Sequence, residues 1–493
     1  MADTTDAAPE RLETGVAQLD RVLGGGLLRG SLAMVIGAPG SGKTVMAQQM
    51  AFHCAGQGKA TLFLTGYSES HEKLLSHGRG LSFFEPDVIG GKVQFVSVLD
   101  MLREGADETE DAIVATARSQ EAALVIIDGF AGMRRLLPDG QAVAQFLYSL
   151  GAKLSLLGLT ILITVEGDPA ESARYPEITV CDTIVALRRE LIDSRERQLL
   201  QVMKARGSSP LRGLHPYTIT RDGVSVFPRY ESTVGTTEPI WTSGRAAFAI
   251  EGIDALLGGG LNNATVTLAV GSPGVGKTLL GLHFALEGVR VGEPVLFCGF
   301  MESAAQLREQ ARAFGLDVEA AEAAGQLRLL VLPGYDTEAD EIAGFIVEDV
   351  ERRGVRRLVI DSAAELDRAI GDVSRKAGFL SAFVSYLRER HVTTYFTLDI
   401  PTIVGPALEL LDTPLSIIGE NLILMRKVEY RSTLHRVLSV LKMRFSDHDQ
   451  AIYEYGITAD EGIHVMGSAP LGEGLLTGIV RPLVDISHQS PSA

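Results

Sequence analysis

Two stretches of this sequence, GAPGSGKT at Gly37–Thr44 and GSPGVGKT at Gly271–Thr278, have the residue types and spacing of a phosphate-binding loop. Glycines let consecutive backbone N–H groups curl round a phosphate, and a following helix adds the positive end of its dipole. Gly37, Gly40, Ser41 and Gly42 would form the first cradle, and Gly271, Gly274, Val275 and Gly276 the second. Lys43 and Lys277 have the reach to meet β- and γ-phosphate oxygens, while Thr44 and Thr278 offer a hydroxyl to Mg²⁺. Farther along, two apolar runs end in aspartate, ALVIID at Asp128 and RLVID at Asp361, which suits a second hold on the metal. The chemistry these residues share is binding of ATP with Mg²⁺, and phosphoryl transfer from it. A single such loop can be a chance glycine-rich turn; two, each with its own downstream aspartate, are not.

The elements that must position them occur twice. LDRVLGGGLLRGSLAMVIGAPGSGKT and IDALLGGGLNNATVTLAVGSPGVGKT match without gaps, so that Asp20 pairs with Asp254, Gly26 with Gly260 and Lys43 with Lys277. In each copy a strand (SLAMVIG, TVTLAVG) leads into the loop, and a helix follows (VMAQQMAFHCAG, LLGLHFALEGV). A second strand (ATLFLT, PVLFCGF), a helix opening in ESHEKLL or ESAAQLREQ, and the strand ending in aspartate complete the order. Strands alternating with helices predict an α/β fold: two P-loop domains, each a mainly parallel sheet flanked by helices. Turn-rich composition places a linker at 231–245, between domains at 11–230 and 246–472, with a mobile N-terminus at 1–10 and a mobile tail at 473–493.

Composition narrows the classes. The 493 residues carry a formal charge of −17, which counts against a broad electrostatic grip on DNA or RNA. Three cysteines, Cys54, Cys181 and Cys298, fit neither a disulfide framework nor a zinc motif and read as small buried residues. The polar N-terminus has no signal-peptide core, and the apolar run Leu154–Val165 has the length of a core strand rather than a membrane span. A cytoplasmic location is expected.

The GGGL segments before the loops, the duplication, and the endings KARG (Lys204–Gly207) and KMRFSDHD (Lys442–Asp449) resemble the KaiC family, as does VEYRSTLHRVLSVLKMR. The likeness spans nearly the whole chain. It implies RecA-like domains stacked as two rings of six subunits, ATP at subunit interfaces, ATP hydrolysis, and serine/threonine autokinase activity confined to the second domain. A KaiB-like or histidine-kinase signalling partner is compatible with the resemblance, while the apolar runs and the acidic charge argue against membrane and nucleic-acid partners. By resemblance, Lys204 and Arg206, and Lys442 and Arg444, reach across to a neighbour's phosphates, as a forked guanidinium can. Phe314 matches an aromatic that stacks near adenine; as an unaided sequence feature it equally suits a core position on an amphipathic helix.

Two departures from that pattern matter. The family's adjacent glutamates, one of them the general base, become Ser68-Glu69 and Met301-Glu302, so Glu69 and Glu302 remain as catalytic candidates alongside Lys43 and Lys277. Each also suits a helix N-terminus. The family's Ser-Thr phosphoacceptor pair falls on Ser416-Ile417, which leaves Ser416 as the one acceptor. Three readings follow: a slow nucleotide-driven switch, a nucleotide-dependent scaffold with negligible turnover, and a RecA-type ATPase acting on DNA.

Overall fold

The computed structural model describes residues 9–66, 71–98, 106–135, 137–192, 195–233, 243–334, 337–400, 418–430, 432–459 and 461–468. The chain divides into two compact units, Met1–Thr233 and Val234–Ala493. Residues 234–242 of the expected linker, and the expected C-terminal tail, lie outside the described residues.

In the first unit β1 (Arg11–Leu12) and β2 (Leu27–Leu28) make a short antiparallel pair. The main sheet is built from β3 (Leu32–Gly37), β4 (Ala60–Thr65), β5 (Val93–Ser97), β6 (Ala122–Asp128), β7 (Thr160–Glu166), β8 (Thr183–Ile192), β9 (Arg195–Ala205), β10 (His215–Thr220) and β11 (Gly223–Val226). Their order across the sheet is β11-β10-β9-β8-β3-β7-β6-β4-β5. From β8 to β5 neighbouring strands are parallel; β8, β9, β10 and β11 pair antiparallel.

The second unit repeats this plan. After the short pair β12 (Arg245–Ala246) and β13 (Leu261–Asn262) come β14 (Val266–Gly271), β15 (Val295–Gly299), β16 (Leu327–Val331), β17 (Arg357–Asp361) and β18 (Thr393–Asp399). They are followed by β19 (Asn421–Tyr430), β20 (Thr433–Met443), β21 (Tyr453–Thr458) and β22 (Gly462–Ser468). The order is β16-β15-β17-β18-β14-β19-β20-β21-β22, parallel as far as β19 and antiparallel beyond it.

Continuous apolar runs are what a parallel strand covered on both faces requires. Along β3, Ala33 and Val35 pack with Met46, Ala47 and Met50 of the helix Lys43–Gly56, while Leu32, Met34 and Ile36 pack with Phe146, Leu147 and Leu150 of the helix Gly140–Leu156. Successive side chains leave a strand on opposite faces, so one strand serves both layers. The apolar run Leu154–Val165 is not one strand: its first residues end that helix, where Leu156 is exposed, and β7 begins only at Thr160. Among the described residues no helix is long and apolar enough to cross a membrane. Cys54, Cys181 and Cys298 are buried and unpaired, and burial pushes their thiols up to about 11, 12 and 12 respectively.

Candidate functional site

Each P-loop leaves the C-terminal end of the central strand and enters a helix, the first at Lys43–Gly56 after β3 and the second at Lys277–Arg290 after β14. The lysines fold back over their loops. The Lys43 ammonium donates to the carbonyls of Gly37 at 3.0 Å and Ala38 at 2.9 Å. Lys277 donates to Gly271 and Ser272, both at 3.0 Å, and also meets Asp399 at 2.6 Å. Burial lowers the pKa of Lys43, against the opposing pull of Glu166 and Asp128.

The predicted metal residues come together. Thr44 Oγ1 donates to the Asp128 carboxylate at 3.0 and 3.2 Å, and Thr278 Oγ1 to Asp361 at 2.7 Å. Two threonines that the sequence reading did not single out complete this arrangement. Thr164 on β7 donates to Asp128 at 2.6 Å while accepting from the Gly129 amide at 2.9 Å, and Thr397 on β18 donates to Asp361. The signal was present in the repeat, because TILITVE and TTYFTLD share a threonine at the fifth place and a carboxylate at the seventh.

These residues fit a magnesium nucleotide. Ser41 Oγ and Ser272 Oγ, one in each loop, are buried without a hydrogen-bond partner, as is Glu302 Oε2 beside the second site. Among the described residues no cluster of three or more His, Cys, Asp or Glu could hold a metal unaided. Mg²⁺ commonly takes one or two protein oxygens and completes its shell with phosphate and water, which is the donor set available here.

Glu302 lies just before the helix Ala304–Ala313 and does not cap it. Ser303 does, accepting from the Gln306 amide at 3.3 Å while Gln306 Oε1 accepts from the Ser303 amide at 2.8 Å. The carboxyl of Glu302 is held above the ordinary glutamate range by burial first and by the charge of Asp361 second. Met301, in the place of the family's other glutamate, is exposed. Phe314 closes the same helix and packs half-buried against the core of the second unit. Ser68, Glu69 and Ser416 lie outside the described residues.

The Lys/Arg pairs are not brought to the P-loop of their own unit. Gly37 stands opposite Leu187 on β8, whereas Lys204 on β9 stands opposite Ile184, which is level with Met34. Lys204 is therefore three residues, or about 10 Å, back from the loop along the strand direction. Lys442 stands opposite Leu422, level with Leu268, in the same relation to Gly271. At that far end Lys204 donates to the carbonyls of Ile178 and Thr179 at 3.3 and 3.4 Å, and Arg206 meets Asp182 at 3.4 Å. Lys442 donates to the Gly419 carbonyl at 2.7 Å, and its pKa is lowered by burial and then by Arg444, whose side chain is exposed.

The family described as "ATPase: KaiC" matches residues 12–231 and again residues 247–469. The chain is 27% identical over 487 residues to the "Circadian clock oscillator protein KaiC" of Rippkaea orientalis, covering 97% of this chain and 92% of that protein. It is 28% identical over 493 residues to the "Circadian clock protein KaiC3" of Synechocystis sp., covering 97% and 96%. To the "Circadian clock oscillator protein KaiC 1" of the same organism it is 28% identical over 466 residues, covering 92% and 88%.

Proposed function

The chain belongs to the KaiC family of ATPases, and from that premise we propose that it binds Mg-ATP at two sites completed by a neighbouring chain, hydrolyses it slowly, and works as a nucleotide-driven oligomeric switch. The observation that supports this best is the separation of the two half-sites. In each unit the P-loop stands at one end of the sheet and the Lys/Arg pair toward the other. Side chains so placed cannot serve the phosphates of their own unit, but they suit those of a neighbour docked head to tail. Repeated head-to-tail contacts close into rings when the rotation allows, and a homo-hexamer is the expected closure.

Within each site the backbone of the loop would cradle the β-phosphate, Lys43 or Lys277 would meet the β- and γ-oxygens, and Thr44 with Asp128, or Thr278 with Asp361, would hold Mg²⁺. The metal would neutralise charge on the transferring phosphoryl group. Glu302 would orient or deprotonate the attacking water at the second site, and Glu69 is assigned the same role at the first. The loss of the companion glutamate, to Ser68 and Met301, argues for turnover well below the common enzyme range of about 1–10³ per second.

A second reading, a scaffold in which ATP glues subunits and turnover is incidental, is favoured by the Lys277–Asp399 pair, which competes with the γ-phosphate for the same ammonium. Autophosphorylation, if retained, falls on Ser416, because Ile417 offers no oxygen; timing as in the clock relatives would need another device. Light scattering in ATP and ADP, with phosphate release from the assembled fraction, tests the proposal. Assembly that ignores nucleotide overturns the switch, and assembly without any phosphate release leaves the scaffold.

A further inference from the structure

The antiparallel part of each sheet returns to the P-loop from below. Tyr217, on β10, is buried and donates its hydroxyl to the carbonyl of Ser41 at 2.8 Å. Tyr455, on β21, is equally buried and donates to the carbonyl of Val275 at 2.6 Å. Ser41 and Val275 are the corresponding residues of the two loops, each just before the glycine that precedes the lysine. Two residues beyond each tyrosine, Ile219 and Ile457 lie under that glycine, so that a Cβ on Gly42 would come within 2.4 Å of Ile219 Cδ1 and one on Gly276 within 2.8 Å of Ile457 Cδ1. Both glycines also have positive φ, 90° and 104°, which disfavours a side chain independently. The same tyrosine–isoleucine pair supports the same atoms in two domains whose surrounding sequences differ widely.

The planarity of the peptide unit gives this contact a direction. In a trans peptide the C=O and the N–H point opposite ways. Holding the Ser41 carbonyl onto Tyr217 therefore turns the Gly42 amide to the side away from the tyrosine; Tyr455 does the same for the Gly276 amide through Val275. We infer that Tyr217 and Tyr455 are positioning residues for phosphate binding, which act by fixing the orientation of one loop peptide so that its N–H faces the phosphate. This rests on the reading of the loops as nucleotide sites. The tyrosines belong to β10 and β21, which extend the sheet beyond β9 and β20, so the antiparallel extension of the sheet and the phosphate cradle are tied by one hydrogen bond in each domain.

Tyr217→Phe and Tyr455→Phe remove the hydroxyl and keep the ring. Each is made in a chain whose other loop is silenced, Tyr217→Phe with Lys277→Ala and Tyr455→Phe with Lys43→Ala, and compared with the parent carrying the lysine substitution alone. Titration with Mg-ADP is expected to show affinity about 5-fold weaker at the altered site, the factor one neutral hydrogen bond carries. Melting is then recorded with and without saturating Mg-ADP. A positioning role shrinks the increment that nucleotide adds to Tm; a packing role lowers both melting points equally and leaves the increment alone. Unchanged Mg-ADP affinity, or an unchanged increment, overturns the inference. A wild-type chain that takes up no Mg-ADP overturns the underlying nucleotide reading, and this inference with it.

Discussion

The Glu302 carboxyl combines a buried oxygen that lacks a hydrogen-bond partner with a pKa held above the ordinary glutamate range. A base acts only when deprotonated, so a raised pKa means that activity is lost as pH falls through a point higher than a free glutamate would give. Phosphate release by the second unit, isolated by Lys43→Ala, is expected to decline on acidification above the usual glutamate value. Glu302→Gln should abolish that limb and slow the rate by about 10²–10⁴-fold, the usual worth of a positioned base; a rate profile identical to the parent would mean that the residue takes no part. The Asp399 carboxylate tests the neighbouring lysine from the other side. Its pair with Lys277 joins a buried ammonium to a half-exposed aspartate that water screens, so about 1 kcal/mol is the expected scale. Asp399→Asn frees the ammonium for a γ-phosphate and is expected to tighten Mg-ATP at the second site by up to about 5-fold, with the first site unmoved. Titration of each site separately decides this, and weaker binding would show that the aspartate assists the nucleotide.

At the scale of elements, β7 and β18 do more than fill the sheet. Each delivers a threonine hydroxyl to the aspartate at the end of the strand beside it, Thr164 to Asp128 and Thr397 to Asp361. Replacing the hydroxyl by a methyl, in Thr164→Val or Thr397→Val, keeps the shape and loses the orientation of that carboxylate. Nucleotide binding is expected to require roughly 5-fold more Mg²⁺, about one hydrogen bond's worth; a titration at fixed nucleotide reads it, and an unshifted Mg²⁺ requirement would assign the threonines to packing alone. These contacts show where the sequence was legible and where it was not. Gly37–Thr44 and Asp128 announce themselves because the chemistry is written in adjacent residues or at the end of an apolar run. Thr164, Tyr217 and Asp399 act across strands, and a local pattern does not say which strands will be neighbours. The doubt over Glu302 as a helix cap was local, and the adjacent Ser303 with Gln306 resolves it. The run Leu154–Val165 was misread because an apolar stretch looks the same at the end of a helix as in a buried strand.

For the whole molecule, the half-sites make a prediction that no single chain can satisfy. A chain carrying Lys43→Ala and Lys277→Ala keeps its Lys/Arg pairs but loses its loops. A chain carrying Arg206→Ala and Arg444→Ala keeps its loops but loses one cation of each pair proposed to serve the neighbour. Each alone should be nearly inactive in phosphate release, and an equal mixture should recover activity, about a quarter of the wild-type rate where the two chains assort at random and one interface in four is complete. No recovery in a mixture that light scattering shows to have co-assembled would place the cations and the loops in service of the same chain. The same separation gives every protomer a front and a back. In an open row of n protomers the last loop has no neighbour, so n − 1 sites per unit are complete; only when front meets back does the count reach n. A shortfall of one tightly held nucleotide per unit in an assembly of known size is therefore a mark of an unclosed chain, readable by nucleotide counting alone without seeing the ring.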